Sequence, residues 1–282
     1  MTGYGVWRSV ARDRRARVAG ALLLLLVGLA VAGPLLYHVD PVSMDLASAG
    51  VAPGGAHPLG ADESGRDVLA RLMAGGRVSL TVGLLAMLVA LGLGGTVGAL
   101  AGYRGAWLDQ LLMRLTDAAL AIPSLFVVIA VVAFLGPSVT TLVLAIGATS
   151  WMGAARVVRG ELQTLRCQPF VEAARALGSR SGPIMRHHLL PHLMPTILVA
   201  STLGVGTAIL TESALSYLGL GVQPPAASWG NMLSGAQSYL FSYPWLAVYP
   251  GLMILLTVMS VNLFGDALRD GLERQHQPPF GG

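Results

Sequence analysis

Uncharged stretches dominate the chain, and their lengths set the first expectation. Val18 to Tyr37 runs without an acidic or basic residue between Arg17 and His38, and Val78 to Tyr103 does so between Arg77 and Arg104. Ala118 to Ala155 is longer still and is divided near its middle by Gly136-Pro137-Ser138, a turn signal. Leu193 to Thr211 follows, bounded by His192 and Glu212. Ser213 to Gly265 opens with a loop-like half containing Gln223-Pro224-Pro225 and closes with an apolar run from Trp245 to Phe264. A helix crosses the hydrocarbon core with about 20 apolar residues. The pattern therefore predicts six transmembrane helices in an all-α polytopic membrane protein, with Ala118–Ala155 forming a hairpin of two short spans.

Composition agrees. Hydrophobic residues make up 54% and charged residues 11% of the 282 positions, against roughly 25% charged in a soluble domain. That balance excludes a disordered chain, a secreted disulfide scaffold and a soluble enzyme. All 18 basic residues are arginine, so a P-loop and lysine Schiff-base chemistry are excluded as well. The one cysteine, Cys167, offers no internal disulfide and no metal spacing.

Arginine placement gives an orientation. Arg8, Arg12, Arg14, Arg15, Arg17, Arg104, Arg114, the six from Arg156 to Arg186, Arg269 and Arg274 share one side, whereas Arg66, Arg71 and Arg77 lie opposite among Asp62, Glu63 and Asp67. The positive-inside bias places both termini in the cytoplasm. The arginines cluster between apolar runs rather than forming a nucleic-acid face. The expected layout is a cytoplasmic segment at 1–17, a first helix at 18–37 and an extracytoplasmic loop with an interfacial helix at 38–77. A five-helix core at 78–265 then holds a polar cytoplasmic loop at 156–192, and a cytoplasmic tail occupies 266–282. The first span is read as an uncleaved anchor, since its run exceeds the apolar core of a signal peptide.

Within the spans, Gly94, Gly98 and Gly102 fall on one helical face, the spacing of close helix packing. Glu212 is the one acid beside a span; at its expected outer end it is either a structural pairing or a cavity-lining group. Ser64-Gly65-Arg66-Asp67 has the form of a capping box ahead of Val68, Leu69 and Leu72, predicting an interfacial helix. Asp62, Arg66 and Asp67 are alternatively a docking surface for an extracytoplasmic protein.

The polar loop is unusual in content. Phe170, Ala173, Ala174 and Leu177 share a helical face, Glu172 and Arg175 stand at i,i+3, and Gly178 permits a turn. Pro183 suits the start of a second short helix, which His188-Leu189-Leu190-Pro191 closes. Two short helices at an angle suit docking into a protein cleft. His188 and His192 have metal-pair spacing, but Pro191 is expected to break the helix between them, and no metal site is assigned.

Glu172-Ala173-Ala174, Gly178 and Leu190-Pro191 resemble the coupling loop of permease subunits in binding-protein-dependent ABC importers. The segments His57–Asp67, Leu215–Pro225, Ser228-Trp229-Gly230 and Gly265–Asp270 are similar to the second, C-type permease of dipeptide, oligopeptide and nickel transporters. The resemblance spans about His57 to Glu273. Ala61, Pro183 and His192 depart from that family's usual residues.

The resemblance implies a type I ABC importer permease fold in a bacterial inner membrane, and peptide transport rather than enzymatic activity. Glu172, Ala173, Ala174, Gly178, His188, Leu190 and Pro191 would contact a cytosolic ATPase subunit. ATP and Mg would be bound by that partner, with no cofactor in this chain. A related B-type permease would complete a heterodimer, an extracytoplasmic binding protein would deliver cargo, and Trp229, expected far from any span, would cap the translocation path. Nickel is the alternative cargo. A proton-coupled secondary transporter would need a relay of acids within the spans, where only Glu212 qualifies. An intramembrane enzyme lacks its residues: there is no His-Glu-x-x-His and no matched serine, histidine and acid.

Overall fold

The structure is a computed structural model and describes residues 12–276. Helices α1 (Arg14–Val31), α2 (Gly33–Leu36), α3 (Val68–Arg104), α4 (Ala106–Leu120), α5 (Ser124–Leu135) and α6 (Val139–Leu165) occupy the first part. Next come α7 (Pro169–Ala176), α8 (Ser181–Ile184), a π-helical turn at Met185–Leu189, α9 (Leu190–Tyr217), α10 (Trp229–Ala236) and α11 (Trp245–His276). Among the described residues there is no β-strand, only the isolated bridges Gly54–His57 and Ala61–Asp67. Arg8 and residues 277–282 of the expected cytoplasmic segments lie outside the described residues.

Six spans are expected. Among the described residues, four helices are long and apolar enough to cross a membrane: α3, α6, the continuous run Ser181–Tyr217, and α11 from Trp245 to Leu272. The pair α4 and α5, bent by 78° at the intervening break, makes up to a fifth. Where the first span is expected at 18–37, α1 begins earlier, inside the arginine cluster, and carries Arg14, Arg15 and Arg17 in its 18 residues. It then breaks before Tyr37 at Ala32, where Pro34 opens α2.

The hairpin expected from Gly136-Pro137-Ser138 is present between α5 and α6, with the Ser138 hydroxyl accepting from Thr141 N–H to cap α6. Its first arm is shorter than expected. The uncharged run from Ala118 conceals a break at Ala121-Ile122-Pro123, where proline lacks the amide needed to continue α4.

No separate interfacial helix precedes α3. The cap is Asp67, not Ser64: its carboxylate accepts from Ala70 N–H at 2.8 Å, and the helix runs unbroken from Val68 to Arg104. The arginines that read as loop charges have partners. Arg71 lies 3.5 Å from Asp62, and Arg77 donates to the carbonyls of Ala30 and Val31, each at 2.7 Å, capping α1.

Helices α3 and α6 form the most extensive contact in the fold. Gly94, Gly98 and Gly102 face the carbonyls of Trp151, Ala155 and Arg159. A Cβ there would stand 2.3, 2.4 and 2.8 Å from those oxygens. Glycine is therefore a requirement of the approach distance, as small residues are wherever membrane helices meet closely. Around this pair a core of Val82, Ala86, Val128, Val132, Leu142 and Ile146 joins α3, α5 and α6.

Two further corrections concern the second half. The fifth span continues past Glu212 to Tyr217, and the loop after it contains α10. The last helix extends beyond Phe264 to His276.

Candidate functional site

The segment after α6 is seated by a small apolar cluster. Val158 and Leu162 of α6 pack with Val171 and Ala174 of α7, Ile184, Leu189 and Leu193. The inward face of α7 is thus Val171 and Ala174. Phe170, Ala173 and Leu177, expected to share a helical face with Ala174, are exposed, Leu177 at 87%, whereas Ala174 is buried. Phe170, Glu172, Ala173 and Leu177 thus make the outward side of the segment, with the His192 ring stacked on Phe170. Among the described ion pairs none joins Glu172 to Arg175.

Gly178 ends α7 with φ +82°, a left-handed conformation that only glycine adopts without strain. Ser179 N–H donates to Ala174 O at 3.0 Å and Gly178 N–H to Arg175 O at 2.9 Å, closing the helix with both bonds of a Schellman turn. The chain then enters α8. Here the structure departs from expectation, because the second short helix does not close at Pro191. Pro191 stands inside the helix, directly after the π turn, and α8, the π turn and α9 form one 37-residue run from Ser181 to Tyr217.

His188 and His192 remain helical neighbours. His192 Nδ1 lies 2.6 Å from His188 O, while its ring stacks on Phe170 with centroids 5.0 Å apart. Among the described residues no group of three His, Cys, Asp or Glu side chains could hold a metal. Leu190 and Pro191 are exposed beside these histidines.

Residues not singled out in the sequence tie this segment down. Tyr103 OH donates to Ser181 O at 3.2 Å, and Arg166 Nη1 to Gly102 O at 3.2 Å, fastening the turn to the end of α3. Asp109 of α4 accepts from Arg159 in a two-bond pair, with Nη2 to Oδ2 at 2.7 Å, and from Gln163 Nε2 at 3.1 Å. Acids between two arginine-bearing runs signal such pairing, but the partners, on α6, cannot be read from spacing.

The far end of the Ser181–Tyr217 run carries Glu212. It is fully buried where α9 meets α3. Its carboxylate accepts from Ser79 Oγ at 2.9 Å, Ser216 Oγ at 2.7 Å and Ser213 Oγ at 3.4 Å. Three donors satisfy a carboxylate that burial would otherwise penalise. Ser79 Oγ also accepts from Trp229 N–H at 3.3 Å, and Ser216 Oγ from Val222 N–H at 3.2 Å.

Trp229, expected far from any span, is buried against α3. Its indole N–H donates to Leu72 O at 3.0 Å, and its ring lies where a side chain at Gly76 would stand. Ser228 and Asn231 form a reciprocal cap that starts α10. The short helix is thereby fixed across the start of α3 and the end of α9.

The loop before α3 is held from within. Asp62 accepts from the backbone of Ser64 and Arg66, each at 2.9 Å, and pairs with Arg71. Asp67 meets Tyr37 OH and His57 Nδ1, each at 2.9 Å. Both carboxylates are buried, and Arg66 is half-buried. Asp45, fully exposed, is held below the usual carboxylate range by Ser48 Oγ and Ala47 N–H. A cavity of about 270 Å³ opens here, lined by Asp62, Arg66, Arg71, Gln223, Asn231 and Ser234 among others.

Comparison with known proteins adds a third line. The family described as "Binding-protein-dependent transport system inner membrane component" matches residues 94–276. The chain is 38% identical to the dipeptide transport system permease protein DppC of Alkalihalophilus pseudofirmus, covering 96% of this chain and 91% of that protein. It is also 38% identical to the glutathione transport system permease protein GsiD of Pectobacterium atrosepticum, over 95% and 89% of the two chains. To the oligopeptide transport system permease protein OppC of Bacillus subtilis it is 37% identical, over 93% and 86%. A chain of the inward-facing MetNI methionine ABC transporter superposes with a TM-score of 0.59 at 18% identity, over 71% of this chain and 96% of that one. That likeness is one of fold.

Proposed function

Since this chain belongs to the family of inner-membrane components of binding-protein-dependent transport systems, we propose that it is a permease subunit of an ATP-driven peptide importer. It would form half of the translocation pathway beside a related B-type permease. Cytosolic ATPase subunits would bind ATP and Mg, and an extracytoplasmic binding protein would deliver the cargo. Relatives whose names specify dipeptide, oligopeptide and glutathione transport support peptides over nickel.

The observation that carries the coupling is the single helical run from Ser181 to Tyr217. At 1.5 Å per residue its 37 positions extend about 55 Å. One end holds His188, Leu190 and Pro191 beside the exposed face of Phe170, Glu172, Ala173 and Leu177. The other holds Glu212, bonded to α3 and, through Ser79, to Trp229. Motion imposed on the first end by an ATPase is thereby delivered to the outer cap α10. Glu172, Ala173 and Gly178 serve as the ATPase-facing knuckle, with Ala174 anchoring it from inside.

Glu212 and Trp229 act on the pathway by holding its outer closure rather than by touching cargo. At the opposite surface, Asp62 and Asp67 shape a loop that presents Glu63, Ser64 and Arg66 to the binding protein. With both termini in the cytoplasm, the 169–193 segment faces the ATPases; a fluorescent-protein fusion at the C-terminus tests this, because it fluoresces only inside. ATP-dependent uptake of labelled dipeptide, compared with labelled nickel, in cells lacking and regaining this chain tests the function. Restoration of dipeptide uptake is expected. Restoration of nickel uptake alone would overturn the cargo, and uptake driven by a proton gradient after ATP depletion would overturn the mechanism.

A further inference from the structure

Helix α5 has 12 residues, about 18 Å of helix, against a hydrocarbon core of about 30 Å. Leaving the Gly136-Pro137-Ser138 turn at the outer boundary, it ends well inside the bilayer. There the chain breaks at Ala121-Ile122-Pro123 and bends by 78° into α4. All three residues of the break are exposed on this chain. Irregular backbone at that depth does not face lipid; it is covered by protein or lines a water-filled cavity.

An independent feature lies on the same face. Asp117, one turn before the break, pairs with Arg156 of α6, Nη2 to Oδ1 at 2.5 Å. Their side chains are 54% and 53% exposed, whereas the neighbouring Asp109 is only 14% exposed. An ion pair half open one turn from that break faces a cavity rather than acyl chains. Beside Arg156, α6 shows Ser150, Gly153 and Gly160, all exposed, and a Cβ at either glycine would meet nothing within 4 Å.

We propose that the break at Ala121–Pro123 and the Asp117–Arg156 pair line the inner half of the translocation path. Water fills the path, and the pair there offers one anion and one cation to the charged ends of a short peptide. The assignment rests on the chain being a permease subunit.

Thiol labelling tests it. Ala121→Cys and Asp117→Cys are made in a Cys167→Ser background, and Val132→Cys, at a position 2% exposed, gives the unreactive baseline. Membrane vesicles of both orientations containing the complete transporter are treated with a membrane-impermeant thiol reagent. Labelling of Ala121→Cys at least tenfold faster than Val132→Cys, from either side, is expected. Ala121→Cys leaves the ion pair intact, so its result stands if Asp117→Cys fails to fold. A rate within tenfold of the baseline means lipid or the partner permease covers the break and overturns the assignment. Dipeptide uptake by the Cys167→Ser parent is measured in parallel. Retained ATP-driven uptake without labelling sinks the path assignment alone; fast labelling without ATP-driven uptake supports an aqueous path and sinks the import reading.

Discussion

Ser79 donates its hydroxyl to Glu212 at 2.9 Å across 133 positions of sequence, and accepts the backbone amide of Trp229 with the same oxygen. One side chain thus joins α3, α9 and α10 at one end of the bundle. Ser79→Ala removes a donor from a buried carboxylate and leaves the Trp229 amide without an acceptor. A loss of about 1–3 kcal/mol is expected for such a deletion. Thermal unfolding of the purified complex in detergent should show a lower midpoint, and an unchanged midpoint would contradict the network. Glu212→Gln keeps the size but replaces one acceptor oxygen with a donor facing hydroxyls; ATP-driven uptake should fall severalfold.

The glycine stripe makes a position-specific prediction. Gly98→Ala puts a Cβ 2.4 Å from Ala155 O, whereas a Cβ at Gly92 meets nothing within 4 Å. Overpacking costs about 1–3 kcal/mol, so Gly98→Ala should lower the folded yield and the unfolding midpoint. Gly92→Ala should leave both unchanged or raised. Equal behaviour of the two variants would show that α3 and α6 do not meet as described.

Gly178→Val tests the turn rather than the docking face. Its φ of +82° is strained for any side chain, and most of all for a β-branched one. The substitution should misplace α8 relative to α7 and reduce cargo-stimulated ATP hydrolysis at least tenfold. The amount of chain in the membrane should change little, because nothing lies within 4 Å of a Cβ at that position. Normal stimulation would mean the turn geometry does not matter to coupling.

Much of this arrangement is legible in the residues, and the exceptions share a cause. Gly136-Pro137-Ser138 announces its hairpin because glycine and proline act locally. The stripe Gly94, Gly98, Gly102 announces a helix contact because its period is that of a helix. The break at Ala121-Ile122-Pro123 lies inside an uncharged run, where hydropathy does not distinguish one helix from two. Arg71 and Arg77 read as loop charges because their partners, Asp62 and the Ala30 and Val31 carbonyls, are tertiary.

The functional residues divide in the same way. Glu172, Ala173, Ala174 and Gly178 carry a contiguous pattern. Which of them face outward was less legible, since Val171, not Phe170, completes the buried side of α7. Glu212 stands out by charge, but its three hydroxyl donors do not, because serine is common in any helix surface. Pro191 reads as a helix stop, yet it stands directly after a π-helical turn inside a continuous run.

The central claim is that force enters at the exposed face of α7 and is carried along Ser181–Tyr217 by a chain that hydrolyses nothing itself. Its most direct test is uptake of labelled dipeptide by proteoliposomes containing the complete transporter with Ala173→Glu and Leu177→Asp in this chain. Both side chains are exposed, so assembly of the permease pair should survive. ATP-driven uptake should fall at least tenfold, and ATPase subunits should no longer copurify. Uptake at the unaltered rate with those two substitutions would contradict the account.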